Sequence, residues 1–270
     1  MGKNLLLGNG INQCSDMKLF STSLIKDRFC KSILNIDEAK YEELRRYLID
    51  SVSVICNKED LNIEQLASEV YDHIKTKIEN EVGYFSGNCD QRIKRILKEI
   101  ALKAIFVIEG KFIEIEICSE IKDIIEKYDS IFSLNYYEYW DKLKITKHLH
   151  GNIKKSPEGN TISDYEECIF TPLLNIPKSK SEALYPSNHL DPAKDLYPMG
   201  DFVLYEELNG LNEIDIFGVS PYGDDELFAK LQEIREKTIF IYKMNDKKDD
   251  LSEWKKVIGP ANYVDSSCFR

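Results

Sequence analysis

Asn4-Leu5-Leu6-Leu7-Gly8-Asn9-Gly10 is the stretch on which the fold turns. Three leucines in a row make a short, wholly apolar run, the pattern of a strand buried on both faces of a parallel sheet. The glycines after it form the kind of loop that lets backbone N–H groups approach a phosphate, and a helix opening beyond it would favour negative charge. A plain tight turn is the other reading of the same residues. Position 13 is Gln, so the third glycine of the GxGxxG dinucleotide fingerprint is missing.

Further along, short apolar runs with polar ends recur at Ser130 to Leu134, Ile145 to Leu149, Ile214 to Val219, Thr238 to Tyr242 and Tyr263 to Val264, and they read as buried strands. An amphipathic helix lies between two of them, with Asp224 as its cap and Leu227, Phe228, Leu231 and Ile234 as its apolar face. Helices alternating with fully apolar strands predict an α/β fold: a Rossmann-like parallel sheet covered by helices on both faces. Ligands then bind beyond the carboxyl ends of the strands.

Residues 14–128 read as a helical insertion after strand one. Leu61, Ile63, Leu66, Val70, Ile74, Ile78 and Val82 recur at helical spacing, opened by a capping box at Asn62 and Gln65. Leu44, Tyr47, Leu48 and Val52 form a stripe before this helix, and Ile93, Leu97, Ile100 and Ala104 one after it. Ile113 to Ile117 alternates with period two and fits either a strand or a helix end. Six of the eight prolines fall in 152–212, which is expected to be an irregular excursion, a lid being one reading of it. The whole, 1–270, is expected to be a single domain carrying these two additions.

The chain has 270 residues, 43% hydrophobic and 31% charged, a globular balance. A net charge of -11 opposes binding to nucleic acid or an anionic membrane over most of the surface, though one basic pocket could still take a small anion. No run reaches the ~20 apolar residues of a membrane span. Seven cysteines, widely spaced and with no CxxC pair, fit reduced thiols in a cytoplasmic protein and argue against a zinc ribbon.

Each strand end carries a residue with chemistry. Ser133-Leu134-Asn135-Tyr136-Tyr137 closes one strand with an amide that could hold a ribose hydroxyl or a water, or could simply make a turn. His148-Leu149-His150-Gly151 closes the next, and in an extended chain its two imidazoles share a face. They could act as a base near pH 7, be hydrogen-bonded at a strand end, or ligate a metal. Only His73 and His189 remain as further imidazoles, neither near a ligand-like acidic cluster, so no metal is expected. Phe217-Gly218-Val219-Ser220 ends a later strand in small residues that a nucleotide could pass closely, while Asp225 reads as an acid favoured by the helix dipole.

Taken in order, these four motifs resemble the sirtuin-like superfamily. Within it, Gly8-Asn9-Gly10 and Leu134-Asn135-Tyr136 look like the AbiH abortive-infection family and the sirtuin-like NAD hydrolases of bacterial antiviral systems. The resemblance implies that Gly8, Asn9, Gly10, Asn12 and His148 line a dinucleotide, with Gly218 and Ser220 on its adenosine side. It implies that Asn135 contacts the nicotinamide ribose or a water, and that His150 is the motif's histidine. NAD would be the substrate, cleaved to nicotinamide and an ADP-ribosyl product in antiphage defence.

Tyr137 stands where the deacylase pattern carries Asp, and the zinc-binding cysteine pairs are absent, so a deacylase and its zinc are not expected. Glu138 or Asp141 would have to supply a carboxylate if one is needed. The alternative is a nucleotide-binding sensor or assembly module without turnover. A homo-oligomer or a defence-system partner protein is compatible with either reading.

Overall fold

The computed structural model describes residues 2–8, 10–11, 17–36, 38–56, 58, 61, 63–114, 117, 119–136, 143–144, 146–155, 162–164, 205–221, 224–241 and 250–266. The chain divides into two compact units. One comprises Met1–Met17, Glu114–Ile153 and Gly200–Arg270, and the other Lys18–Ile113 with Lys154–Met199.

The first unit is built on six parallel strands: β1 Asn4–Leu7, β2 Ser130–Ser133, β3 Thr146–His148, β4 Glu213–Phe217, β5 Glu236–Ile241 and β6 Asn262–Asp265. Their order across the sheet is β6-β5-β4-β1-β2-β3. Leu5 pairs with Ile131 on one side and Asp215 on the other, so the three-leucine strand is central and its side chains are buried whichever way they point. From β1 the chain builds outward through β2 to β3, then returns to the other side of β1 and builds outward again. The reversal falls between β1 and β4, and in open α/β sheets ligands lodge beyond the carboxyl ends of the strands at such a point.

Because side chains alternate along a strand, the two faces can be told apart by what they touch. Leu6, Phe132, Ile214, Ile216, Ile239 and Ile241 share a core with Leu227, Phe228 and Leu231 of one helix, Asp225–Glu233, and with Trp254 and Ile258 of another, Asp250–Ile258. Leu5, Phe217 and Phe240 instead line a cavity of about 160 Å³ with Ile124, Lys127 and Tyr128, at the end of helix Ser119–Ile125. Helices therefore cover both faces, as the alternation of apolar runs and amphipathic segments predicts.

Among the described residues the second unit holds four long helices, Thr22–Leu34, Glu38–Cys56, Ile63–Val82 and Gly87–Phe106, after a single turn at Met17–Phe20. The three predicted stripes are its buried faces: Leu44, Leu48 and Val52; Leu66, Val70 and Ile74; Ile93, Leu97 and Ala104. Val82 ends its stripe in solvent, 54% exposed. Ile113 to Ile117 is neither of the two expected forms among the described residues. Helix Gly87–Phe106 ends before it, and a two-strand antiparallel ribbon, Val107–Ile108 with Lys111–Phe112, precedes it. The contact boundary at Ile113 places helix Ser119–Ile125 with the sheet, although the sequence groups it with the 14–128 helices. Of 152–212, the described parts include a ribbon, Lys154–Lys155 with Ile162–Asp164, and a 3-10 turn, Tyr205–Leu208. No described helix is long and apolar enough to cross a membrane.

Candidate functional site

At the carboxyl end of β1 the chain crosses closely over the end of β4. Gly8 N–H donates to the Phe217 carbonyl at 2.9 Å, Gly10 N–H to the Gly218 carbonyl at 2.8 Å, and Ile11 N–H back to the Gly8 carbonyl at 3.2 Å. A Cβ on Gly8 would lie 2.4 Å from the Gly218 oxygen, and one on Gly218 2.6 Å from the Ile11 nitrogen. Gly218 also has φ +70, a left-handed conformation that favours glycine. The glycines at 8, 10 and 218 are thus demanded by backbone packed on backbone. The N–H groups of Gly8 and Gly10 are engaged by β4, so a phosphate there would need other donors.

Asn135 follows β2 and is 0% exposed. Its backbone N–H donates to the Ser133 hydroxyl at 3.0 Å and its Nδ2 to the Gly8 carbonyl at 3.4 Å, while its own carbonyl accepts from His148 Nδ1 at 2.9 Å. One residue thereby fastens the ends of β1, β2 and β3 together. The chain then turns: Gly151, at φ +68, donates to the His148 carbonyl, and Ile153 N–H donates to the Tyr136 carbonyl at 2.6 Å.

That turn carries His150 inward, where it is 4% exposed. Its ring lies between Tyr136, 6.0 Å away between centroids, and Tyr205, 5.7 Å away and edge-on. His150 Nε2 is 2.6 Å from the Tyr205 hydroxyl and 3.3 Å from Asp224 Oδ2, and the same Tyr205 hydroxyl donates to Asp224 Oδ2. Asp224 Oδ1 meanwhile caps helix Asp225–Glu233 by accepting from Leu227 N–H at 3.1 Å. The cap was legible from the sequence; its second oxygen's role was not. His150 Nδ1 is buried with no hydrogen-bond partner among the described residues.

The sequence motifs therefore converge at one edge of the sheet. Gly8, Gly10, Asn135, His148, His150 and Gly218 all stand at the carboxyl ends of β1 to β4; the hydrogen bonds above link all of them but His150, which is held by Tyr205 and Asp224. Ser220 is exposed beside them. Asn9, Asn12, Tyr137, Glu138 and Asp141 lie outside the described residues. Tyr205, which holds His150, carried no sequence signal, because it sits 55 residues further on with no recognisable spacing. Among the described residues no group of three or more His, Cys, Asp or Glu is placed to hold a metal ion. Comparison with known proteins finds no matching family model, curated protein or solved structure.

Proposed function

We propose that the chain binds NAD at the carboxyl edge of the sheet and hydrolyses its nicotinamide glycosidic bond. The observation that carries the reading is His150, a buried imidazole just beyond β3 with one nitrogen held by Tyr205 and by Asp224, which lies in the connection after β4, and the other without a partner among the described residues. Resemblance to the sirtuin-like superfamily adds the identity of the nucleotide and the setting in antiphage defence.

The chemistry asks little of the protein. The C1′–N1 bond breaks with its electron pair going to nicotinamide, which departs neutral from a cationic ring. Water adds to the oxocarbenium-like C1′ and its proton passes to His150. The site must hold the ribose, keep the nucleophile in line and remove that proton. A positioned base contributes about 10²–10⁴-fold. Purified protein incubated with NAD should release nicotinamide, and His150→Ala should lower the rate by at least about 100-fold. Absence of release by the wild type, or an unchanged rate in the variant, sinks the assignment.

The sensor reading has its own support: Asn135 is fully buried and occupied in joining three strand ends, which removes its side chain from easy reach of a ribose. Calorimetry showing that NAD and ADP-ribose bind, with no nicotinamide formed, selects the sensor. Neither binding nor product removes both readings.

A further inference from the structure

The two histidines of the strand-end motif are held through different nitrogens, and their partners decide where each ring carries its hydrogen. A backbone carbonyl can only accept, so His148 must donate from Nδ1 to Asn135 O. For His150 the reasoning runs through two groups. An ionised Asp224 carboxylate can only accept, and its Oδ1 is already fixed by Leu227 N–H. The single hydroxyl hydrogen of Tyr205 goes to Asp224 Oδ2, which leaves the Tyr205 oxygen facing His150 Nε2 as an acceptor. Asp224 Oδ2 itself, 3.3 Å from the same nitrogen, makes the same demand.

From this geometry we infer that Tyr205 and Asp224 are positioning residues that fix His150 as the Nε2–H tautomer, so that its buried Nδ1 presents a lone pair to a hydroxyl of the ligand. Nδ1 is desolvated and unmatched among the described residues, and a buried acceptor without a donor is costly until one arrives. A neutral donor such as a ribose hydroxyl satisfies it. A phosphate oxygen does not, because it would meet a lone pair with the Asp224 carboxylate close behind the ring. The ligand class rests on the reading of His150 as the base of the proposed site; the tautomer does not.

Long-range 1H–15N correlation spectra of the full chain with labelled histidine read the tautomer directly, with His150 assigned by comparison with His150→Ala. The expected result is His150 protonated at Nε2 and His148 protonated at Nδ1, the second serving as an internal reference. Asp224→Asn keeps an oxygen for the helix cap and turns an amide donor toward Tyr205. The Tyr205 hydroxyl must then donate to His150, which should become the Nδ1–H tautomer. Tyr205→Phe leaves Asp224 Oδ2 facing Nε2 and should keep the wild-type tautomer.

A wild-type His150 protonated at Nδ1, or an Asp224→Asn protein whose tautomer is unchanged, overturns the inference; a network that is merely structural predicts that second result. If Asp224→Asn fails to fold, the wild-type and Tyr205→Phe spectra still decide. For the ligand class, ADP-ribose should move the Nδ1 resonance and inorganic pyrophosphate should not. A shift with pyrophosphate, or with neither, overturns the hydroxyl assignment. Lack of nicotinamide release together with a shift by ADP-ribose removes the hydrolase and leaves this inference standing.

Discussion

A methyl group on Gly8 would meet the Gly218 carbonyl oxygen at 2.4 Å, with backbone on both sides of the clash and no flexible side chain to yield. Gly8→Ala should destabilise the protein by about 3 kcal/mol, the upper part of the range for overpacking. Gly210 makes a useful contrast. It has φ +78 but open space around it, so Gly210→Ala should cost only the left-handed strain, about 1 kcal/mol. Urea unfolding of both variants measures the difference, and equal costs would show that the backbone crossing is not what demands glycine at 8. At this scale the sequence exposed the residues better than their duties. Gly8, Asn135 and His150 announce themselves as small, amide and imidazole groups at strand ends. Their partners do not, because Gly218 lies far along the chain and Asn135 Nδ2 reaches back 127 residues to Gly8.

Tyr128, just before β2, donates its hydroxyl to Asp215 Oδ2 in β4 at 2.6 Å, tying two elements on either side of β1. Burial, reinforced by the hydrogen bond to Asp215 and its charge, pushes the Tyr128 hydroxyl well above the usual tyrosine range. A folded pKa raised above the unfolded one gives stabilisation that is whole below about pH 10 and is lost as pH rises toward the folded value. Tyr128→Phe should therefore cost about 1 kcal/mol at pH 7, since Asp215 loses its donor. The gap between the two proteins should narrow from pH 10 upward. Urea titrations at pH 7, 10 and 11 test this, and a gap independent of pH would contradict it.

Elements were the most legible level of the sequence. Apolar runs of four to six residues can be read as strands because a parallel strand buries both faces, and helical stripes because only one face is covered. The ambiguity at Ile113 to Ile117 had a physical source. Alternation over five residues does not separate a strand from the continuation of a helix, and only the structure shows that the helix has already ended at Phe106 and that a tight ribbon, residues 107–112, comes before this stretch.

Across the whole molecule, strand order was the part hidden from inspection. Alternating helices and strands imply a parallel sheet, yet nothing local says that β1 pairs with β2 and β4 and that the chain reverses there. Those pairings are long-range and are chosen by the folded sheet as a unit. Their consequence for dynamics can be measured. The amides of Leu5 to Leu7, flanked by strands on both sides, should exchange with solvent only when the sheet unfolds globally, whereas those of β3 and β6, at its edges, should exchange through smaller openings. Hydrogen-exchange rates for β1 as fast as those for β3 would show that the central strand is not the anchor of the sheet.

The central place of β1 also sets a timetable for the protein at birth. Asn4 Nδ2 reaches the Glu213 carbonyl, 209 residues away, at 3.0 Å. At roughly 5–20 residues per second, the leucine strand leaves the ribosome some 10–40 seconds before its second neighbour exists. Until then at least one side of a greasy strand stays open and has to be kept from other nascent chains, so this fold's yield in cells should depend on chaperones and on the pace of translation.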